Sequence, residues 1–148
     1  MKALVLSHFQ ALRGFASFDQ CFKIADNDTE VAMERQDKDL AFMLQYENIA
    51  WYEDGEVRIL DRRVYPAKIE YAVCKTYTEV AKAITDMVTQ SAGPYTAAPM
   101  GMALAAWECR NLPENEQLEF LNKASFVISH SRPTTSSRMT LVTQACIP

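Results

Sequence analysis

Two places in the sequence combine residue types suited to meeting a charged ligand. The first is Arg132, which precedes Pro133 and then Thr134, Thr135, Ser136 and Ser137. Hydroxyls of this kind gather where a helix begins, and a helix start presents unpaired N–H groups at a partial positive pole. An arginine beside it adds a planar, permanently charged fork that matches phosphate or carboxylate. The same residues also describe an ordinary Ser/Thr-capped helix next to a solvated arginine, and residue type alone leaves both readings open. The second place is Gln90-Ser91-Ala92-Gly93-Pro94, inside the uncharged stretch "MVTQSAGPYTAAPMGMALAAW" from Met87 to Trp107. Gly93 would let backbone amides approach a ligand and Pro94 would fix the turn. A plain spacer between two helices has the same composition. Tyr95 and Thr96 would either donate to ligand hydroxyls or cap the helix after them.

Other chemistry is sparse. His8 and His130 are the only histidines, and His130 reads as a helix-C-terminal side chain set against the helix dipole. Cys21, Cys74, Cys109 and Cys146 are scattered, with neither Cys-x-x-Cys spacing nor a histidine pair. That pattern predicts no metal site and no disulfide framework, only buried thiols in a reducing compartment. Glu114, Glu116 and Glu119 read as a solvated face. No Ser/His/Asp set and no paired carboxylates stand out, so no catalytic residue, metal or cofactor is assigned. A net charge of −4 and a pI near 5.2 argue against a broad nucleic-acid footprint, which needs clustered Lys and Arg. The densest basic spots are Arg62-Arg63 and the later Arg132 and Arg138. The apolar run Ala3–Leu6 is too short for a signal peptide, and Gly93, Pro94, Pro99 and Gly101 interrupt the uncharged stretch, so no membrane span is expected. The expected location is cytoplasmic.

These residues need elements to position them. The 148 residues suffice for one domain or little more. Residues 1–45 read as helical: Phe15, Phe18 and Phe22 share a stripe after Gly14, and a second helix would bury Leu40, Met43 and Leu44. Asp54-Gly55 then marks a hairpin, since both central positions of a type I′ turn need φ > 0. "KIEYAVC" alternates as a third strand, with Ile69, Tyr71 and Val73 expected inward. Thr76 and Glu79 are spaced as a capping box ahead of a helix whose stripe is Val80, Ile84, Met87 and Val88. The next helix is apolar on all sides. Its small residues Ala97, Ala98, Gly101 and Ala103 would let neighbours approach. Pro113 suits the first turn of a further helix burying Leu118, Leu121, Ala124 and Ile128. A last helix over 134–147 would turn Met139, Val142 and Cys146 inward. The fold class is therefore α+β: a mostly helical domain (46–148) with a small three-stranded antiparallel β-meander, preceded by a helical extension (1–45).

In that order and spacing, "WYEDGEVRILDRRVYPAKIEYAVCKTYTEVAKAITDMV", the Gly-Pro loop, "GMALAAWE" and "SRPTTSSRMTLV" resemble the N-terminal domain of the methylthioribose-1-phosphate isomerase family. That family also includes ribose-1,5-bisphosphate isomerases and the regulatory subunits of translation initiation factor 2B. The resemblance implies a phosphorylated pentose as ligand, converted from ring aldose to open-chain ketose. It also implies that an Arg-Gly-Ala-Pro loop and the Arg of Arg-Pro-Thr hold substrate and phosphate. The catalytic Cys and Asp of such enzymes lie in a Rossmann-like C-terminal domain, in Cys-Asn and Gly-Ala-Asp-Arg contexts that do not occur here. Cys146 stands instead in "TQACIP". Arg132-Pro133-Thr134 is intact, which makes Arg132 the implied phosphate ligand. The Arg-Gly-Ala loop has become Gln90-Ser91-Ala92 before Gly93, so a neutral amide replaces a charged fork. The expected role is a substrate-capping domain that pairs with a Rossmann-like domain and does not turn substrate over alone, because proton transfer needs a positioned acid and base. The alternative is a regulatory or assembly module, with self-association as a further expectation.

Overall fold

Two successive residues in left-handed backbone, Asp54 (φ 49°) and Gly55 (φ 83°), reverse the chain into a hairpin as the Asp-Gly pair predicts. The computed structural model describes residues 39–148, and those up to Ile147 belong to one compact unit. The phenylalanine stripe expected at 15–22 and the start of the second expected helix lie outside the described residues. The segment leading into the sheet departs from that second helix. A 3-10 turn at Phe42–Leu44 gives way to a single helical turn, α1 (Tyr46–Ile49). Leu40 and Leu44 are nearly half exposed, at 47% and 49%, so they do not form a buried stripe.

The sheet is a meander of β1 (Ala50–Glu53), β2 (Glu56–Leu60) and β3 (Tyr71–Cys74), antiparallel and in sequence order. Its register aligns Ala50, Ile59 and Ala72 on the buried face, with Tyr52, Val57 and Cys74 beside them. Trp51, Arg58 and Val73 line up on the other. The inward set expected for β3 is thus inverted. Ala72 and Cys74 face the core, while Ile69 lies before the strand and Val73 stands on the open face, 58% and 55% exposed. A period-two element allows no intermediate solution: an offset of one residue exchanges the two faces entirely.

Thr76 caps α2 (Tyr77–Thr85), accepting the Glu79 N–H at 3.2 Å. The Glu79 carboxylate reaches back to the Lys75 N–H at 2.6 Å, one residue earlier than a standard capping box. The helix buries Val80 and Ile84 but stops before Met87, which is 39% exposed and takes φ 59°. Around it, Val88 N–H donates to Ala83 O and Met87 N–H to Ile84 O. That is the bonding pattern of a Schellman cap, with methionine where glycine is usual.

The buried helix α3 (Gly93–Cys109) starts within the expected loop, so Gly93 and Pro94 form its first turn. Ala97, Ala98, Leu104 and Ala105 are fully enclosed. At Gly101 a Cβ would come to 2.9 Å from Val80 Cγ1 and 3.0 Å from Ile128 Cδ1, so three helices converge on that glycine. Pro113 occupies the N-cap of α4 (Glu114–Ser129), which buries Leu121, Ala124, Ser125, Ile128 and Ser129. Leu118 is 43% exposed instead. A 3-10 turn at Pro133–Thr135 leads into α5 (Ser136–Gln144), whose enclosed residues are Met139 and Thr143. Val142 and Cys146 are half-buried, and Thr143 instead meets Ser125 Oγ across the interface with α4 at 2.9 Å. No helix among the described residues is long and apolar enough to cross a membrane.

Candidate functional site

The segment 85–92, from the last residue of α2 through the connection to α3, is held from both sides. From the sheet side, the Arg62 N–H just beyond β2 donates to Val88 O at 2.7 Å. From the α4 side, Thr85 Oγ1 donates to Ser131 O at 2.8 Å. An arginine therefore marks each anchor point: Arg62 at the sheet, and Arg132 one residue after Ser131. Both side chains are half-buried. Among the described residues, two side-chain polar atoms are enclosed without a hydrogen-bond partner, and they belong to these two arginines: Arg62 Nε and Arg132 Nη1. An enclosed donor without an acceptor is costly and calls for a physical reason.

Arg132 precedes the Pro133–Thr135 turn in extended backbone (φ −144°, ψ 112°). Its carbonyl accepts the Thr135 N–H at 3.2 Å and the Thr135 hydroxyl at 3.3 Å. Of the hydroxyls that follow it, that of Thr135 is engaged locally. Thr135 Oγ1 also points at Met139 Sδ at 3.7 Å, and the Thr140 hydroxyl donates back along α5 to Ser136 O. Arg132 has no carboxylate within ion-pair distance among the described residues.

The Gln90–Gly93 segment lines a small cleft of about 100 Å³. The arginine sharing that cleft is Arg62, with Leu60, Ile49 and Met43 as apolar walls; Arg132 does not line it. Ser91 is exposed in left-handed backbone, φ 56°. Ala92 is exposed and Gln90 half-buried, its amide donating weakly to Met87 O at 3.4 Å. Gly93 is buried, and its N–H donates to Gln90 O at 2.9 Å, while the Tyr95 N–H turns back to Ala92 O at 3.0 Å. Those two amides are engaged within the turn. The close approach that requires a glycine at 93 is to Thr89, whose Oγ1 would lie 1.9 Å from an added Cβ. Tyr95 lies beneath Arg138, whose Cζ is 5.8 Å from the ring centroid.

Arg62 and Arg63 are adjacent in sequence but opposite in circumstance. Arg63 grips Asp61 through Nε at 2.9 Å and Nη2 at 2.6 Å. That hydrogen-bonded pair holds the Asp61 carboxyl below its ordinary value. Arg62 has no ion-pair partner among the described residues. Its Cζ lies 6.0 Å from the Tyr65 ring centroid, and Tyr65 stacks on Phe42. In the sequence Arg62 is conspicuous only as half of a basic pair. Its place in the cleft depends on the bond to Val88, a tertiary contact that no local pattern announces.

The remaining candidates have structural surroundings. His130 closes α4, with Nδ1 2.9 Å from Phe126 O and its ring stacked on Phe126 at 4.2 Å. Cys74 and Cys109 are free and buried, and Cys146 is free and half-buried. Burial raises all three thiols, Cys74 to about 11. No group of three or more His, Cys, Asp or Glu among the described residues is placed to hold a metal.

About two thirds of the chain superposes on parts of two solved structures. A solved 5-methylthioribose 1-phosphate isomerase from Pyrococcus horikoshii superposes with a TM-score of 0.59 at 25% identity, over 65% of this chain and 27% of that one. The delta subunit of translation initiation factor eIF-2B from A. fulgidus gives 0.57 at 28% identity, over 66% and 28%. In sequence, a methylthioribose-1-phosphate isomerase from Natranaerobius thermophilus is 38% identical over 84 residues, 56% of this chain and 24% of that protein. No family model matches the chain. Over part of its length the chain is thus similar to methylthioribose-1-phosphate isomerases and to an initiation factor 2B subunit. It spans about a quarter of the length of the curated relatives it matches.

Proposed function

We propose that this domain caps one side of a sugar-phosphate cleft in an aldose–ketose isomerase-like protein of the methylthioribose-1-phosphate type. In this reading it corresponds to the N-terminal domain of its relatives. Arg132 and the Gln90–Gly93 loop contribute to holding the ligand, and a Rossmann-like domain supplies the opposite wall and the proton-moving groups. The observation that carries the reading is the enclosed, unpartnered Nη1 of Arg132, next to Ser131, whose carbonyl is tied to the last residue of α2. A phosphate oxygen is the acceptor such a donor lacks, and a guanidinium can offer it two parallel bonds. Calorimetric titration of methylthioribose 1-phosphate into the full chain tests it. Weak binding lost in Arg132→Ala, without ketose formation, is the expected result. Binding that ignores Arg132 refutes the reading, and so does turnover by the chain alone.

A second reading, a regulatory or assembly module, draws on a different observation. The loop amides of Gly93 and Tyr95 are satisfied internally and the loop is neutral, whereas Phe126 and Leu141 are 64% and 70% exposed. Absence of sugar-phosphate binding together with concentration-dependent self-association in sedimentation would favour it.

A further inference from the structure

We propose that Arg62 is an anion ligand of the Gln90–Gly93 cleft, supplying from the end of β2 the guanidinium that the loop itself lacks. The proposal rests on reading this cleft as part of a ligand site, but assigns it a residue and a chemistry of its own. Arg62 and the loop line the same small cavity. Its backbone is fixed there by the bond to Val88 O at 2.7 Å, so the side chain emerges at the cleft rather than sweeping the surface. Its Nε is enclosed and has no acceptor, while the neighbouring guanidinium of Arg63 is occupied by Asp61. The walls contributed by Leu60, Ile49 and Met43 are apolar, which strengthens an ionic hydrogen bond made inside them. A cavity of about 100 Å³ suits a phosphoryl group, whether free or as one end of a phosphorylated small molecule. The loop opposite, Gln90 to Gly93, carries no competing charge. Arg62 is thus a specificity-determining residue for an anionic group, in a position separate from that of Arg132.

The test uses the full chain labelled with ¹⁵N. The Arg62 Nε–H resonance, assigned through its disappearance in Arg62→Lys, is followed as inorganic phosphate replaces chloride at constant ionic strength. A second titration uses ribose 5-phosphate, to separate free phosphate from a sugar-borne phosphoryl group. The expected result is a saturable shift of that resonance together with the amides of 90–93. Arg62→Gln should weaken the response of those amides at least ten-fold, and Arg62→Lys should restore only part of it, because an ammonium keeps the charge but lacks the fork. A response to ribose 5-phosphate alone supports the proposal with a sugar-borne group as ligand. An Nε–H resonance unmoved by either anion overturns it, whether or not the variants fold. Arg132→Ala separates the two claims. If sugar-phosphate binding depends on Arg132 while the Arg62 resonance never moves, the capping function stands and this assignment falls. If the Arg62 resonance responds in both wild type and Arg132→Ala, the assignment stands on its own.

Discussion

Glu108 of α3 accepts the Tyr77 N–H at 2.7 Å, so a side chain from the buried helix satisfies one free amide at the start of α2. Burial raises its carboxyl, the Tyr77 bond opposes that, and Glu79 nearby adds to the rise. A carboxyl raised in the folded state stabilises the fold while protonated. That contribution is complete below the unfolded value, near 4.3, and is lost as pH rises through the folded one. Glu108→Gln keeps an oxygen acceptor and removes the titration. Urea unfolding should therefore show the variant gaining on wild type between pH 4 and pH 7; a gain that shrinks over that interval would contradict the assignment. The thiols give a second residue-scale expectation. Alkylation requires the thiolate, and burial disfavours it at Cys74 and Cys109, which are 3% and 2% exposed. Among these and Cys146, peptide mapping after iodoacetamide at pH 8 should find Cys146 modified first, with Cys74 and Cys109 protected until denaturant is added. At this scale the sequence spoke clearly only where chemistry is local. Arg132 stood out by its Pro-Thr-Thr-Ser-Ser context, whereas Arg62 acquires its place through Val88, remote in the chain.

At the scale of elements, the Asp54-Gly55 turn, the Thr76 cap and the small-residue helix were legible because each rests on a residue-specific backbone or size requirement. The end of α2 was not. A Schellman cap normally declares itself with glycine, and here Met87 holds the left-handed position, so the apolar stripe reads straight through it. That position costs a non-glycine residue roughly 1–2 kcal/mol, offset in part by the extra freedom glycine has when unfolded. Met87→Gly should thus raise stability by about 0.5–1 kcal/mol in denaturant titration; a loss would mean that the Met87 side chain contributes packing that its exposure hides. Gly101→Ala acts in the opposite direction. Its added methyl meets Val80 and Ile128 inside a close-packed junction, and overpacking of that kind typically costs about 1–3 kcal/mol. The strand parity of β3 was illegible for a different reason. Ile69, Tyr71 and Val73 make the more hydrophobic set, but the register with β2 places Ala72 and Cys74 against the core, and Val73 is left across from Arg58.

For the molecule as a whole, the described domain is a closed core with two half-buried arginines beside the α2–α3 connection. Each has an enclosed donor lacking an acceptor, and residues 87–92 of the connection bring no charge. If this edge receives a phosphorylated ligand, backbone amides around it must sense that ligand's arrival. Titration of the ¹⁵N-labelled chain with methylthioribose 1-phosphate reads those amides one by one. Saturable shifts should be concentrated at Arg62, along 85–95 and over 131–136. Shifts absent at saturating ligand, or gathered instead on the exposed sheet face around Trp51 and Val73, would contradict a phosphate-receiving edge.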